Sequence, residues 1–315
     1  MNEIPANLLF NEGWMSYKLV DLSHVEYSIN LSPEQILSID AHLFAEYQQL
    51  AVQESVQRVG NKPAVTLSGG IDSQVMVHSF VSAGVDFSPV IFDFDGKNSH
   101  DTNVALEFCE LMKLKPTIIN LNVGWFLNRE GVQFGLKHGL RSPQFTCHAK
   151  LCQHLASAGF SGAVFGGNAA YRSERREHVN AGWIYHSTAA QLLDLVTFGE
   201  SIGWPIIGSF CSWSWKMCLS LSALSVEGVG DVAERYQQKV AAYRAFGVPI
   251  IPQAQKYTGF EVIKAEVDSM DKPGYFELKF RAPLYSKTPD QNIPSLKLTT
   301  AQETALNELS RRLNS

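Results

Sequence analysis

Between residues 61 and 166, short and nearly unbroken apolar runs alternate with stretches whose apolar residues recur every three or four positions. The runs predict strands at 64–68, 89–94, 116–123 and 162–166. The periodic stretches predict helices at 72–83 and 101–113, with helical segments within 124–138 and 146–158. Strands that are apolar on both faces and alternate with helices predict an α/β fold built on a doubly wound parallel sheet. Upstream, Trp14 to Val20 and Val25 to Ile29 read as short strands. Ser32-Pro33-Glu34-Gln35 then opens a helix, with Ser as N-cap, Pro at the first helical position and Gln at the third. One helix is expected from there to about Val59, with Ile36, Ile39, Leu43, Tyr47 and Leu50 on one face and Gly60 as its stop.

Past residue 200 the alternation gives way to helical patterns at 212–226, 230–246 and about 258–270. Tyr275-Phe-Glu-Leu-Lys-Phe-Arg281 alternates as a strand, 285–297 reads as loop, and Thr300-Ala-Gln-Glu303 caps a last helix. Three regions follow: 1–60 with N-terminal strands and a lead-in helix, 61–200 as the α/β domain, and 201–315 as a mainly helical cap. Trp204, Trp213 and Trp215 with Phe210 are expected as core of that cap. No internal repeat or low-complexity tract interrupts the chain.

Composition narrows the class. The 315 residues are 45% hydrophobic and 18% charged, which is the balance of a soluble globular protein with a sizeable core. A net charge of −5 argues against bulk attraction to nucleic acid, so any contact with a tRNA would be local. No apolar run approaches a membrane span, and the opening Met1-Asn2-Glu3-Ile4-Pro5 does not read as a signal peptide. Five cysteines at irregular spacing suggest reduced thiols and a cytoplasmic setting. Cys147-His148 and Cys152-Gln153-His154 have metal-ligand residue types but no paired CxxC spacing, so buried structural cysteines are expected.

The first predicted strand breaks into Ser68-Gly69-Gly70, and Ile71-Asp72-Ser73 opens the helix after it. Strand, glycine turn and helix start aim backbone N–H groups and a helix dipole at an anion. Adjacent glycines permit close approach of phosphate oxygens and a positive φ. Ser68 and Ser73 can add hydroxyl donors. A carboxylate beside polyphosphate would be repelled unless a divalent cation lay between them, so Asp72 implies Mg²⁺.

Ser68-Gly69-Gly70-Ile71-Asp72-Ser73 resembles the SGGxDS loop of the N-type ATP pyrophosphatases. These include asparagine, GMP and NAD synthetases and some tRNA-modifying enzymes. The resemblance implies an adenine nucleotide α-hydrolase-like sheet, ATP with Mg²⁺ as cofactors, and cleavage between the α and β phosphates. The product would be an adenylated substrate plus pyrophosphate. The long helix feeding the first strand is similar to the synthetase domain of asparagine synthetases. By that resemblance the chain is an ATP-dependent ligase or amidotransferase-like enzyme acting on a small-molecule carboxylate or carbonyl. Complete asparagine synthetases begin with a glutaminase whose nucleophile is an N-terminal cysteine; here Asn2 follows Met1. Ammonia would then be taken free or delivered by a separate glutaminase partner.

Further residues follow from the same resemblance. The end of the second strand, Phe92-Asp93-Phe94, is where the family recognises adenine; otherwise Asp93 and Asp95 only begin a turn. Gly166-Gly167-Asn168-Ala169-Ala170-Tyr171-Arg172-Ser173-Glu174 holds the place of a second signature. Asparagine synthetases carry two acids where this chain has Ala170 and Tyr171, whereas the looser NAD synthetase pattern would make Glu174 the second metal ligand after Asp72. Arg172, with Arg175 and Arg176, suits polyphosphate, and otherwise forms a solvated face with Glu174 and Glu177. Lys256-Tyr257-Thr258-Gly259-Phe260 is similar to the late lysine segment of asparagine and β-lactam synthetases, where a lysine faces the reaction centre. Two alternatives stand beside this reading: a sulfur-transfer or sulfonucleotide enzyme, and a nucleotide-binding protein without turnover.

Overall fold

The computed structural model describes residues 9–19, 25–140, 143–167, 171–173, 182–184, 189–224, 232–253 and 296–313. The first part of the chain forms β1 (Met15–Leu19), β2 (Val25–Ile29), α1 (Pro33–Leu37), α2 (Phe44–Val59), β3 (Ala64–Thr66), α3 (Ile71–Ser82), β4 (Ser88–Asp93) and α4 (Ser99–Leu111). Then come β5 (Thr117–Asn120), α5 (Val123–Phe126), α6 (Val132–Lys137), α7 (Pro143–Ser157), β6 (Ala163–Val164), β7 (Tyr171–Ser173), β8 (Gly182–Ile184) and α8 (Ala189–Ser201). The last are β9 (Ile206–Ile207), α9 (Phe210–Trp213), α10 (Trp215–Leu224), α11 (Val232–Ala245), β10 (Leu296–Lys297) and α12 (Thr300–Leu313).

Five strands make one parallel sheet in the order β5-β4-β3-β6-β9. Helices cover both faces, because the central strands are apolar on both. On one side Val65, Leu67 and Ile91 pack with residues of α2, α3 and α4; on the other Ala64, Val90 and Phe92 pack with α5, α7 and α8. The fold is therefore α/β and doubly wound, with a helical C-terminal region. The chain runs β3-β4-β5 in one direction and then returns to lay β6 on the opposite flank of β3. Strand order reverses between β3 and β6, and a crevice for ligands opens at such a point, beyond the carboxyl ends of the strands.

A smaller sheet, β1-β2-β10, joins the two ends of the chain. Gln302 fastens it by donating to the carbonyls of Ile29 (2.9 Å) and Leu31 (2.8 Å). The indole N–H of Trp14 reaches the Ser212 and Trp213 carbonyls, tying this sheet to the main body. No helix among the described residues is long and apolar enough to cross a membrane.

Several elements differ from the sequence reading. The expected single helix to Val59 is two helices. The capping box on Ser32 and Gln35 is present, but α1 stops at Leu37. Asp40 restarts the chain by accepting from the His42 N–H (2.9 Å), a local side-chain bond that competes with continuous helix. Leu43 is consequently exposed, and the buried stripe of α2 runs through Phe44, Tyr47, Ala51, Val52 and Val59. The last helix is capped one residue earlier than expected, by Thr299 and Gln302 rather than Thr300 and Glu303. The stretch read as loop to 297 ends in β10. The helix expected at 212–226 breaks at Ser214 into α9 and α10. The hairpin β7–β8, α8 and the fifth strand β9 were not anticipated. Trp204, Phe210 and Trp213 are buried as expected of core residues; Phe210 meets Phe80 of α3 at 5.8 Å between ring centres, so this core lies against the sheet's helices. The helix expected near 258–270 and the strand at 275–281 lie outside the described residues.

Candidate functional site

The Ser68–Ser73 loop leaves the end of β3 and enters α3, at the point where strand order reverses between β3 and β6. Gly166, just past β6, lies against it: a Cβ there would come within 2.9 Å of the Ser73 backbone. Gly167 has φ +66°, and a Cβ would collide with Ser209 at the head of α9. Two predicted pieces thus converge, the loop at the end of β3 and the Gly166-Gly167 turn after β6. Phe92, Asp93 and Phe94 stand one strand away, at the end of β4.

The two glycines of the loop have different reasons to be there. Gly69 has φ +77°, and a Cβ would lie 2.3 Å from the Asp101 carbonyl of α4, so its bareness serves the packing of loop on helix. Gly70, the N-cap of α3, has φ −67° and ψ 148°. Among the described residues a Cβ there would meet only the Ser68 hydroxyl, at 3.4 Å. Nothing among the described residues requires glycine at 70, whereas close approach by a ligand would.

The loop's serines are turned inward. Ser73 accepts from the Ser68 N–H and hydroxyl, both at 3.2 Å, and donates to the Gly70 carbonyl at 2.7 Å. These hydroxyls hold the loop's shape, so the ligand-facing donors are backbone N–H groups. No side chain caps α3, which leaves N–H groups of its first turn, Ile71 and Asp72 among them, as anion donors with the helix dipole behind them.

Asp72 has partners that sequence reasoning missed. Tyr243 donates to Asp72 Oδ1 at 2.6 Å, and Lys239 Nζ lies 2.5 Å from the same oxygen. Both come from α11, one turn apart, and Lys239 Nζ also sits 5.6 Å from the centre of the Tyr243 ring. Burial, reinforced by the Asp72 charge, pushes the Tyr243 hydroxyl well above its usual range, so it is a hydrogen donor here and not a base. Gln74 is a second missed residue. Fully buried, it donates to the carbonyls of Gly69 and Ile251 and accepts from the Ile251 N–H, all at 2.8 Å. That clamp fixes the strand-like segment after α11 beside the loop. Gln253 extends the contact, donating to Asp101 Oδ1 at 2.5 Å while its N–H donates to the Tyr236 hydroxyl. Gln74 is one of several polar residues between Ile71 and Val81, with Asp72, Ser73, His78 and Ser79, so nothing in the sequence singled it out, and nothing marked Lys239 or Tyr243.

At the end of β4, Asp93 is committed to the turn. Its carboxylate accepts from the Gly96 N–H and from the Asn120 amide, both at 2.9 Å. Asn98 takes the Phe94 N–H and donates to the Phe92 carbonyl, both at 2.8 Å. Phe92, Phe94, Phe145 and Phe165 surround the His148 imidazole at 5.5–6.2 Å between ring centres.

Burial in that aromatic setting lowers the His148 pKa to about 4. The folded value lies below the ordinary one, so on acidification the unfolded chain takes up this proton first. The stability His148 contributes is complete above about pH 6.5 and drains away as pH falls towards 4. His148→Gln is expected to lose about 2–3 kcal/mol less than wild type in urea unfolding between pH 7 and 4.5. Equal losses would place the acid sensitivity elsewhere.

Arg172 lies in β7, where only its backbone is described, and Glu174 and Lys256 lie outside the described residues. Among the described residues no three acidic, histidine or cysteine side chains gather as a metal site. All five cysteines are buried and unbridged; burial raises the Cys109 thiol to about 11 and pushes Cys147, Cys152 and Cys211 further up.

Fold and loop together define an α/β protein with a glycine loop and a helix start at its topological switch point. No family profile matches the chain, and no curated protein matches it. Among solved structures it is similar to an NMN synthetase from Francisella tularensis, at 15% identity and TM-score 0.40, over 90% of this chain and 94% of that one. An NH3-dependent NAD synthetase from Campylobacter jejuni matches at 15% identity and TM-score 0.37, over 77% and 93%. The U34-tRNA thiolase NcsA from Methanococcus maripaludis matches at 11% and 0.37, over 87% and 80%. Similarity this low fixes neither substrate nor reaction.

Proposed function

We propose that the chain binds ATP with its β and γ phosphates in the Ser68–Ser73 loop and splits it between the α and β phosphates to adenylate a small-molecule substrate. The observation that carries this reading is the head of α3, which no side chain caps and where Gly70 stands unobstructed among the described residues, at the reversal of strand order. The SGGxDS resemblance agrees with it. A lone carboxylate at the loop suits Mg²⁺, which takes few protein ligands and completes its shell with water and phosphate oxygens. Asp72 would hold it, with Glu174 as the proposed second acid; bound there, the ion would spread the charge of the phosphates.

The chain's own groups do the remaining work. First-turn N–H groups of α3 hold the departing pyrophosphate and stabilise its growing charge. A substrate carboxylate or carbonyl oxygen attacks the α-phosphorus, and the bond to the bridging oxygen breaks with its electrons leaving on pyrophosphate. An amine then adds to the activated carbon, AMP departs, and one proton is released. Lys256 fits a role at this centre: it lies three residues past the docked Gln253, within about 10 Å of extended chain. Arg172 is proposed as a further contact to phosphate. Phe92 to Phe94 are proposed to border the base, with Gly166 and Gly167 letting the turn after β6 pack closely on the Ser68–Ser73 loop and the head of α9. Free ammonia or a partner glutaminase would supply the amine, and a cytoplasmic location fits the reduced thiols.

Incubation with Mg²⁺–ATP, candidate carboxylic acids and ammonia is expected to release AMP and pyrophosphate in equal amounts. ADP and phosphate instead would overturn the reading. Binding of ATP without cleavage, whatever acid is supplied, would favour a second reading as a nucleotide-binding protein, which the occupied state of Asp72 supports. A sulfur-containing product would favour the third, against which the buried, unreactive thiols of the described residues already weigh.

A further inference from the structure

We infer that Gln74 is a positioning residue of the phosphate site: its carboxamide holds the Gly69 carbonyl and thereby presents the Gly70 N–H to a pyrophosphate group. This rests on the phosphate-binding reading of the Ser68–Ser73 loop and adds a residue that lies outside the loop.

The contacts that lead there begin far along the chain. Gln74 accepts from the Ile251 N–H and donates to the Ile251 carbonyl, both at 2.8 Å. The backbone around Ile251 is also held by others: Arg244 donates to the Ile250 carbonyl at 2.9 Å, and Gln253 is tied to Tyr236 and Asp101. Matched at both ends to that backbone, the carboxamide has one orientation. Turned over, its oxygen would confront carbonyls and its NH₂ would confront an N–H. Its remaining N–H is therefore aimed at the Gly69 carbonyl, 2.8 Å away. Glycine on both sides of the 69–70 peptide would let its plane rotate unless something held it. That peptide is trans, so its N–H points opposite to its carbonyl. Holding the carbonyl against the fully buried Gln74 turns the Gly70 N–H away from the packed side of the loop. This N–H has no acceptor among the described residues, and it directly precedes the first-turn N–H groups of α3. Position 74 thus needs two donors and an acceptor at once, which neither methionine nor an ionised glutamate supplies.

A labelling scheme isolates the group in question. The sequence contains two Gly-Gly pairs, 69–70 and 166–167, so glycine labelled with ¹³C at its carbonyl and ¹⁵N at its nitrogen selects the Gly70 and Gly167 amides in a carbonyl-filtered spectrum. Inorganic pyrophosphate with Mg²⁺ is titrated into the full chain, without ATP, and the affinity is measured by calorimetry on the same samples. In wild type the Gly70 amide is expected to move downfield as pyrophosphate saturates the site. Gln74→Met keeps the length of the side chain and removes its hydrogen bonds. It is expected to bind pyrophosphate about tenfold more weakly, with the Gly70 shift largely lost. Gln302→Met serves as control, since it also deletes a buried amide that donates to two carbonyls, but in the smaller sheet. It should lower stability while leaving the affinity and the Gly70 shift unchanged.

A Gln74→Met protein that loses stability but keeps both the affinity and the Gly70 shift would reduce Gln74 to a structural residue and overturn the inference. A Gly70 amide that stays put in wild type while pyrophosphate binds would overturn it as well. No binding of pyrophosphate to wild type, with or without Mg²⁺, would instead bring down the phosphate-site reading beneath it. Should Gln74→Met fail to fold, the wild type decides alone. An anion that polarises the Gly70 N–H strengthens the Gly69 carbonyl as an acceptor, so the Gln74 side-chain amide is expected to move downfield with the same midpoint as Gly70. A stationary Gln74 amide beside a shifting Gly70 would remove Gln74 from the site.

Discussion

Asp72→Asn is expected to reduce pyrophosphate release from Mg²⁺–ATP by about a thousandfold or more while the protein stays folded. The substitution keeps the shape of the side chain and an oxygen to accept from Tyr243 (2.6 Å in the native protein), so the contact with α11 survives in part. What it removes is the negative charge. Without that charge the divalent ion loses its proposed anchor, and the departing phosphates lose the cation that offsets their charge. Lys239 also loses one of its partners, so some destabilisation accompanies the change, kept small by the pair's partial exposure. A coupled assay for pyrophosphate, run beside circular dichroism of the same sample, separates lost chemistry from lost fold. Activity within a factor of about three of wild type would take Asp72 out of the reaction, since removing one properly placed charge-stabilising group ordinarily costs a hundredfold or more.

The parts of the fold legible in the sequence are those where local pattern and burial agree. β3 and β4 are apolar on both faces because helices cover both, and their continuous runs announce them. The Ser32 capping box is legible for a similar reason: its hydrogen bonds close within four residues. β9 escaped because two buried residues, Ile206 and Ile207, suffice to finish the sheet and leave no period to detect. The break between α1 and α2 hangs on Asp40 capturing one N–H, a choice that helix periodicity does not encode. The site divides in the same way. Its anion cradle is contiguous, so Ser68 to Ser73 give it away. Its surroundings are assembled from 170 residues further along, where Lys239 and Tyr243 meet Asp72 and where Ile251 takes both ends of the Gln74 amide. Such contacts depend on how α11 docks, and a single chain of letters carries no sign of it. The inward turn of Ser68 and Ser73 was equally hidden, since a hydroxyl beside a phosphate loop serves the ligand or the loop with the same residue type.

The neighbouring glycines give the second large effect, and it should split by position. Gly69→Ala is expected to destabilise the protein by about 2–4 kcal/mol, because alanine must adopt a positive φ and push back the Asp101 carbonyl. Backbone on both sides of that contact leaves no flexible side chain to give way. Gly70→Ala should leave stability within about 1 kcal/mol of wild type. Its φ and ψ already suit alanine, the lower entropy of the unfolded chain offsets the weaker N-cap, and the new methyl meets only the Ser68 hydroxyl. Its cost should appear in binding, as a loss of about tenfold or more in affinity for Mg²⁺–ATP, because the methyl projects where a phosphate must come into van der Waals contact with the main chain. Urea unfolding and calorimetric titration of the two variants read these effects separately. Were Gly70→Ala to bind nucleotide as tightly as wild type, the phosphates would have to lie away from the head of α3, since nothing among the described residues asks for a bare α-carbon there.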